Sequence, residues 1–463
     1  MNAAVALPSP ARPAADKLRA QQTAAASRHA LGFFLFLLLN AVLFVRAGEI
    51  VPGAEGWHIY EVLILACFAV SFPAVLAQFT AKSLEERPVT VCVLGLSLAV
   101  GLSYLAQLDL AQLADSGLLF LKIVVYYVLF VGLVDSPARL RTFLFWMAAF
   151  AAVTVGLAVL QFHDVITLPN LDQIQDTLRD AAGRESHIKR LTGSGIFHDP
   201  NELGVLIAFC FVLALYWLTD RRSGLARALW IGPLILFLYA MYLTQSRGAL
   251  LAMGAGLAVF LVLRFGWRLA LLASLFLAPA AVLLLSTRMT DISTENGTGQ
   301  ERIQAWSDGI VLMREAPLFG VGMGTFQQRV GIVAHNSYLQ CMVELGVFGG
   351  VLFAGAFYLA AAQLLRLGDR RKHAFSAAET ARLYPYLFGA FASYAVGMIS
   401  LTLSYVIPTY TVLALATVFV RTAPVAPPLP ATRFDLRLLG RMVGVAVVGF
   451  AGLYLFVRFF VVH

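Results

Sequence analysis

Long apolar segments alternate with short polar ones along nearly the whole chain. A membrane-spanning helix needs about 20 mostly apolar residues, and thirteen segments of roughly that length are present. They lie at 30–46, 58–79, 88–107, 117–134, 142–162, 202–219, 229–246, 248–264, 268–287, 337–365, 383–402, 404–421 and 438–460. In the last one, Arg441 and Arg458 flank a glycine-rich stretch, so twelve spans are the alternative. The pattern predicts an all-α integral membrane protein with 12–13 transmembrane helices.

The composition supports this class. The 463 residues are 60% hydrophobic and 13% charged, with a mean hydropathy of +0.79, whereas soluble domains carry about 25% charged residues. A soluble fold of this length could not cover its surface with so few charges. Four cysteines lie in apolar runs without the spacing of metal ligands or of a disulfide framework: Cys67, Cys92, Cys210 and Cys341. No metal site and no cofactor is predicted.

The basic residues predict the orientation in the membrane. A net charge of +8 could indicate nucleic-acid binding. However, if the N-terminal tail is cytoplasmic, most Lys and Arg residues fall on the cytoplasmic side and the other side is net acidic, as the positive-inside rule requires. The basic loops lie near 82–87, 139–141, 221–227, 264–268, 366–382 and 421–441. The excess is therefore a topology signal, and we expect membrane lipid rather than nucleic acid as a partner.

Three regions follow from this topology. Residues 1–28 are predicted to be a cytoplasmic tail, 29–421 the transmembrane core, and 422–463 a Pro-rich cytoplasmic linker with the last candidate span. Two loops, at about 163–201 and 288–336, are much longer than the others and lie on the non-cytoplasmic side. Long loops of this kind are usually functional.

Both loops are expected to contain short helices. In the first loop, Leu171, Ile174 and Leu178 have helical spacing and Asn170 could cap the helix. In the second, Ile303, Trp306, Ile310 and Met313 have the same spacing, and Pro317 ends the run.

Polar residues collect beside these loops. They are Lys189 and Arg190, the run from His198 to Glu202, Arg247 after the seventh span, Glu301 and Arg302, and His335, Asn336 and Ser337. Structural alternatives exist for several: Asp199, Asn201 and Ser337 could cap helices, and His335 could be an ordinary interfacial histidine. The Gly320–Gly324 stretch follows no strand and is interpreted as a turn rather than a phosphate loop. Lys122 lies inside the fourth span and either snorkels outward or contacts an anionic headgroup.

Five sequence features, in order, resemble the O-antigen ligase/polymerase family over roughly residues 190–350. They are Phe-His-Asp-Pro-Asn-Glu-Leu-Gly at 197–204, Ser246-Arg247-Gly248, Arg302 with Trp306, Pro317 to Gly322, and His335-Asn336 with Glu344 and Gly346. The resemblance implies a bacterial inner-membrane glycosyltransferase whose active face is periplasmic. Such enzymes move a glycan from a polyprenyl diphosphate carrier, here undecaprenyl diphosphate, to an acceptor hydroxyl. Ligases use the lipid A-core as acceptor, and polymerases use another lipid-linked glycan.

The resemblance also implies roles for residues. The expected catalytic residues are His335, which corresponds to the family's essential histidine, Arg247, which corresponds to an arginine near the diphosphate, and Arg190, which corresponds to the arginine of the earlier loop, with Arg184 as the alternative for that position. Residues expected to bind substrate are Arg302, His198, Asp199, Asn201, Asn336 and Lys122. The family works without a metal or a nucleotide sugar.

The chemistry suits these residue types. Arginine presents a charged, planar fork of donors to phosphate oxygens, and a neutral histidine accepts the proton of an attacking hydroxyl. Ligase and polymerase stay open as alternatives within the family. A polysaccharide or lipid transporter is the alternative from a different class, although no internal repeat is visible.

Overall fold

The structure is a computed structural model that describes residues 29–46, 57–168, 174–179, 185–283 and 298–461. Helices dominate it, in chain order α1 (Ala30–Val45), α2 (Ile59–Leu76), α3 (Ala81–Glu85), α4 (Pro88–Ala106), α5 (Leu110–Leu133), α6 (Pro137–Phe162), α7 (Pro200–Leu218), α8 (Ile231–Thr244), α9 (Arg247–Phe265), α10 (Trp267–Leu283), α11 (Thr298–Met313), α12 (Phe326–Val330), α13 (Ser337–Glu344), α14 (Gly346–Leu367), α15 (Ala378–Gly397), α16 (Ile407–Thr422) and α17 (Leu436–Phe460). Short 3₁₀ helices lie at Ala77–Phe79, Gly195–Phe197 and Arg221–Trp230.

Two small antiparallel ladders accompany the helices. Strands β1 (Ile174–Arg179) and β2 (Glu185–Arg190) form a hairpin, and β3 (Ala374–Phe375) pairs with β4 (Val425–Ala426). Neither sheet has more than two strands, so the predicted all-α class is confirmed.

Each of the thirteen apolar segments predicted from the sequence overlaps a helix. Within the described ranges, nine helices are long and apolar enough to cross a membrane: α2 with its following turn, α4, α5, α6, α7, α8 with its preceding turn, α9, α14 and α17. Helices α1 and α16 are apolar but shorter. The chain is a multi-pass membrane protein.

Two details of the prediction are wrong. The helix expected in the first long loop is a strand over Ile174–Arg179, where backbone groups pair with β2 instead of within one short turn; Asn170 and Leu171 lie outside the described residues. The segment 337–365 is not one helix, because it breaks at Gly346, whose φ of +65° is left-handed. The helix expected in the second loop is confirmed as α11.

The bundle is centred on α7. In the apolar 18-residue stretch of that helix, 78% of the residues are buried, whereas 11% are buried in the same length of α17, at the periphery. Small residues let α9 and α15 approach closely: a Cβ at Gly256 would lie 2.7 Å from the Ser393 Cβ and 2.8 Å from the Gly389 carbonyl oxygen. Close backbone approach of this kind is how helices pack tightly in membranes.

The two ends of the bundle carry different side chains. At one end, Asp220 is only 1% exposed and pairs with Arg141 at 3.3 Å and Arg382 at 2.9 Å. Glu379 pairs there with Arg222 at 2.9 Å. We call this the basic end. The opposite end, where α7, α9 and α13 begin, carries the polar motifs and is called the site end.

Candidate active site

Three helices begin at the site end, and each is capped by a side chain from the motifs. Asp199 Oδ1 accepts from the backbone N–H groups of Asn201 and Glu202, at 2.7 and 3.2 Å. Ser246 caps α9 by accepting from Ala249 N–H at 3.3 Å. Asn336, rather than the expected Ser337, caps α13. Helix N-termini carry partial positive charge, so this end of the bundle favours an anion.

His335 lies immediately before α13 in a left-handed backbone conformation, with φ of +46°. Its backbone N–H donates to Thr402 Oγ1 at 2.8 Å. This hydrogen bond holds His335 in a conformation that non-glycine residues rarely adopt. Burial and then the nearby Arg302 guanidinium lower the pKa of His335 from 6.5 to about 4, opposed by Asp199. At neutral pH the imidazole is therefore neutral, and it is half-buried.

A loop between α15 and α16 holds the start of α13 from the other side. Ser337 is fully buried, and its hydroxyl donates to the Leu401 carbonyl at 2.7 Å and accepts from Leu403 N–H at 2.8 Å. The backbone of Ser337 also donates to Met398 O at 2.9 Å. Because its hydroxyl is occupied by these contacts, Ser337 does not cap the helix. The loop that makes them is not among the sequence motifs quoted above.

Arg190 joins three segments of the site. Its Nε donates to the Thr244 carbonyl at 2.9 Å, and its Nη2 donates to Asn201 Oδ1 at 3.1 Å. The side chain is only 6% exposed. Arg190 therefore links the end of the hairpin to the first turn of α7 and to the end of α8. Arg184 lies outside the described residues.

Arg247 is the first residue of α9 and is half-buried. The following Gly248 lies against the loop that holds Ser337, since a Cβ there would be 2.4 Å from Ser400 Oγ. The same loop thus contacts the segments that carry Arg247 and His335.

Arg46 is a site-end cation that the sequence analysis did not single out. It is the residue after α1, and its guanidinium covers Gly195: a Cβ on Gly195 would lie 2.4 Å from Arg46 Nε. Gly195 has a φ of +63° and begins the turn that leads to His198 and Asp199. The signal that could have identified Arg46 is the one used for Arg247, a cation on the side poor in basic residues.

The glycine motif at 320–324 is a turn, as predicted. Gly320, Gly322 and Gly324 all have positive φ, and the turn rests on the α13–α14 break, where Gly322 N–H donates to the Glu344 carbonyl at 3.0 Å. Glu344 is fully buried and its Oε1 accepts from Phe326 N–H at 2.9 Å. Burial raises the pKa of Glu344 from 4.5 to about 7. Glu344 therefore joins the end of α13 to the start of α12.

Two predicted substrate-binding residues sit differently from the rest. Lys122 pairs with Glu61 across α5 and α2 at 3.4 Å. His198 is exposed, with its Nδ1 3.0 Å from the Gly195 carbonyl oxygen. By contrast, His335, Arg302, Asp199, Asn201 and Arg190 form a connected set through the contacts and charge interactions given above.

The fold and site together define a multi-pass membrane protein with a cationic polar cluster at one end of an all-helical bundle. Residues 232–354 match the family described as O-antigen ligase. This range contains Arg247, Arg302, His335 and Asn336. The chain is also 24% identical over 165 residues to the teichuronic acid biosynthesis protein TuaE of Bacillus subtilis (strain 168).

The second match covers 36% of this chain and 30% of the relative, so it spans less than a third of the relative's length. Together, the two matches confirm the resemblance to the O-antigen ligase family that the sequence motifs indicated.

Proposed function

We propose that this protein is a glycosyltransferase of the O-antigen ligase/polymerase type, acting at the periplasmic face of a bacterial inner membrane. It moves a glycan from undecaprenyl diphosphate to an acceptor hydroxyl, and the acceptor is the lipid A-core. The observation that carries this proposal is the half-buried imidazole of His335, which burial and the charge of Arg302 keep neutral at pH 7, within a family match that spans the same residues.

The proposed reaction is an in-line displacement at the anomeric carbon. The acceptor oxygen forms the new glycosidic bond while the bond from the anomeric carbon to the diphosphate oxygen breaks, with inversion. His335 accepts the proton of the acceptor hydroxyl, and Asp199 stabilises the resulting imidazolium. Arg247 and Arg302, helped by the N-terminus of α9, bind the diphosphate as its charge grows. We propose that no metal or other cofactor takes part.

Arg190 has a different proposed role from Arg247. Because its side chain is buried and contacts Thr244 O and Asn201 Oδ1, Arg190 acts as a positioning residue that sets the segment before Arg247. Asn201 and Asn336 orient substrate from the first turns of α7 and α13. His198, at the exposed edge, contacts the glycan, and Lys122 contacts a lipid headgroup on the flank.

Polymerisation is the alternative within the same family. In that reaction the donor half of the site is unchanged, and the acceptor is another lipid-linked glycan. The Bacillus subtilis relative is named for teichuronic acid biosynthesis rather than for O-antigen ligation, which supports this alternative. A transporter would move a lipid-linked glycan without forming a new glycosidic bond.

One reconstitution separates these functions. The purified full-length protein is incubated in EDTA with a lipid-linked donor and either lipid A-core or a second lipid-linked glycan. A covalent lipid A-core product supports ligation, and a lengthened lipid-linked glycan shows polymerisation. Activity that needs a divalent ion overturns the metal-free mechanism. No covalent product with either acceptor overturns the transferase assignment.

Topology is tested separately with reporter fusions at about residues 180, 310 and 373. The proposed orientation predicts a periplasmic signal from the first two and a cytoplasmic signal from the third. The reverse pattern contradicts a periplasmic active site.

A further inference from the structure

A cavity of about 460 Å³ lies at the basic end, far along the bundle from the candidate active site. It forms where residues 423–432, after α16, fold back over the start of α4 and the end of α14. This segment is fixed: β4 pairs with β3, and Ser376 N–H donates to the Pro424 carbonyl at 2.8 Å. The cavity is therefore a built feature of the fold, with a volume typical of small-molecule sites.

Three arginines line the cavity, namely Arg87, Arg366 and Arg421. Each donates to a neutral oxygen: Arg87 to Gln78 Oε1, Arg366 to Thr432 Oγ1 at 3.1 Å, and Arg421 to the Val134 carbonyl at 2.9 Å. Among the residues that the structure describes, none of the three forms an ion pair.

The lining contains a single acid, Glu86, which is exposed. The cavity therefore carries a net positive charge, and its arginines keep donors of the kind that bind phosphate oxygens in pairs.

Apart from the neutral polar side chains of Gln363, Thr417 and Thr432, the rest of the lining is apolar and includes Val89, Val420 and Leu429. A small inorganic anion would leave these side chains without a partner. The cavity lies where α4, α14 and α16 begin or end, which in a membrane-spanning bundle is the level of the lipid headgroups. A ligand with an anionic head and an apolar tail satisfies both halves of the lining.

We propose that this cavity is a binding site for the phosphate headgroup of an anionic membrane lipid, held by Arg87, Arg366 and Arg421 with its glycerol and upper acyl region against Val89, Val420 and Leu429. The bound lipid joins the segment 423–432 to α4 and α14. The lipid stabilises the folded bundle, because a ligand that binds only the folded state shifts the unfolding equilibrium towards that state.

The test measures thermal unfolding of the purified full-length protein in detergent during titration with phosphatidylglycerol, phosphatidylcholine or inorganic phosphate. The wild type is compared with Arg366→Gln, an exposed position that tolerates substitution, and with the double variant Arg87→Gln/Arg366→Gln. The matched control is Arg370→Gln/Arg371→Gln, which removes two exposed charges from the same end outside the cavity lining.

Phosphatidylglycerol should raise the melting temperature of the wild type and the control, and phosphatidylcholine and phosphate should not. Its half-saturating concentration should rise about tenfold or more for each cavity arginine removed. An equal response of wild type and cavity variants overturns the site. Equal stabilisation by phosphatidylcholine shows that the headgroup charge is not recognised, and equal stabilisation by phosphate assigns the cavity to a free anion instead.

Discussion

The backbone N–H of His335 donates to the hydroxyl of Thr402 at 2.8 Å, across 67 residues of sequence. This bond holds His335 in its left-handed conformation and joins it to the loop that also contacts Gly248, next to Arg247. The same loop therefore contacts both His335, the proposed base, and the segment that carries Arg247, which is proposed to bind the diphosphate. The relative position of these two groups thus depends on residues 398–404 as well as on the motifs themselves.

Thr402 should therefore act as a positioning residue. Thr402→Val leaves the His335 N–H without its acceptor, and we expect kcat for glycan transfer to fall about tenfold, the cost of one unsatisfied hydrogen bond. The KM for the donor should change little, because the valine does not alter the arginines. Thr402→Ser restores the acceptor and should keep near-normal kcat. Equal activity of the valine and serine variants would show that this bond does not position the base.

The pH dependence of transfer should be that of a histidine with a lowered pKa. Since burial and Arg302 lower the pKa of His335 to about 4, the imidazole stays neutral well below its usual value of 6.5. The value of kcat/KM for the donor reports the free protein, and it should stay level as pH falls from 8 to about 5.5. A bend with a midpoint near 6.5 contradicts the burial of the imidazole.

Glu344 predicts a pH dependence of stability. Its pKa rises from 4.5 in the unfolded chain to about 7 in the fold, so the folded state binds more protons between these values and stability falls as pH rises from 4.5 through 7. The melting temperature of Glu344→Gln, which mimics the protonated form, should lose this decline between pH 5 and 8. Glu315→Gln, an exposed carboxylate paired with Arg329, is the matched control and should behave as wild type.

Much of this arrangement is visible in the sequence. The order of apolar segments predicted the helices, and the cap at Asp199 was predictable because a capping signal needs only neighbouring residues; at α13 the expected cap was Ser337, and the structure has Asn336. Thr402 and the buried state of Arg190 were not predictable, since each depends on contacts between segments far apart in the chain, whereas Arg46 could have been identified as a cation on the side poor in basic residues. The hairpin at Ile174–Arg179 was missed because a few apolar residues suit helix and strand equally.

Arg247 should require the guanidinium group and not only a positive charge. Arg247→Lys keeps the charge but loses the planar pair of donors, so kcat/KM for the lipid-linked donor should fall about tenfold to a hundredfold. Arg314→Lys, at an exposed position just after α11 in the second long loop, is the control and should leave transfer unchanged. Full activity of Arg247→Lys would contradict two-pronged binding of the diphosphate.

The central claim is that His335 is the general base, and the most direct test is glycan transfer by His335→Gln at matched protein level in the membrane. Glutamine is similar in size and can form hydrogen bonds, but it cannot accept the hydroxyl proton. We expect transfer to fall by about 10²–10⁴-fold while donor binding is kept, and His58→Gln, a largely exposed histidine before α2, to transfer normally. Wild-type transfer by His335→Gln would show that His335 only packs against the Thr402 loop.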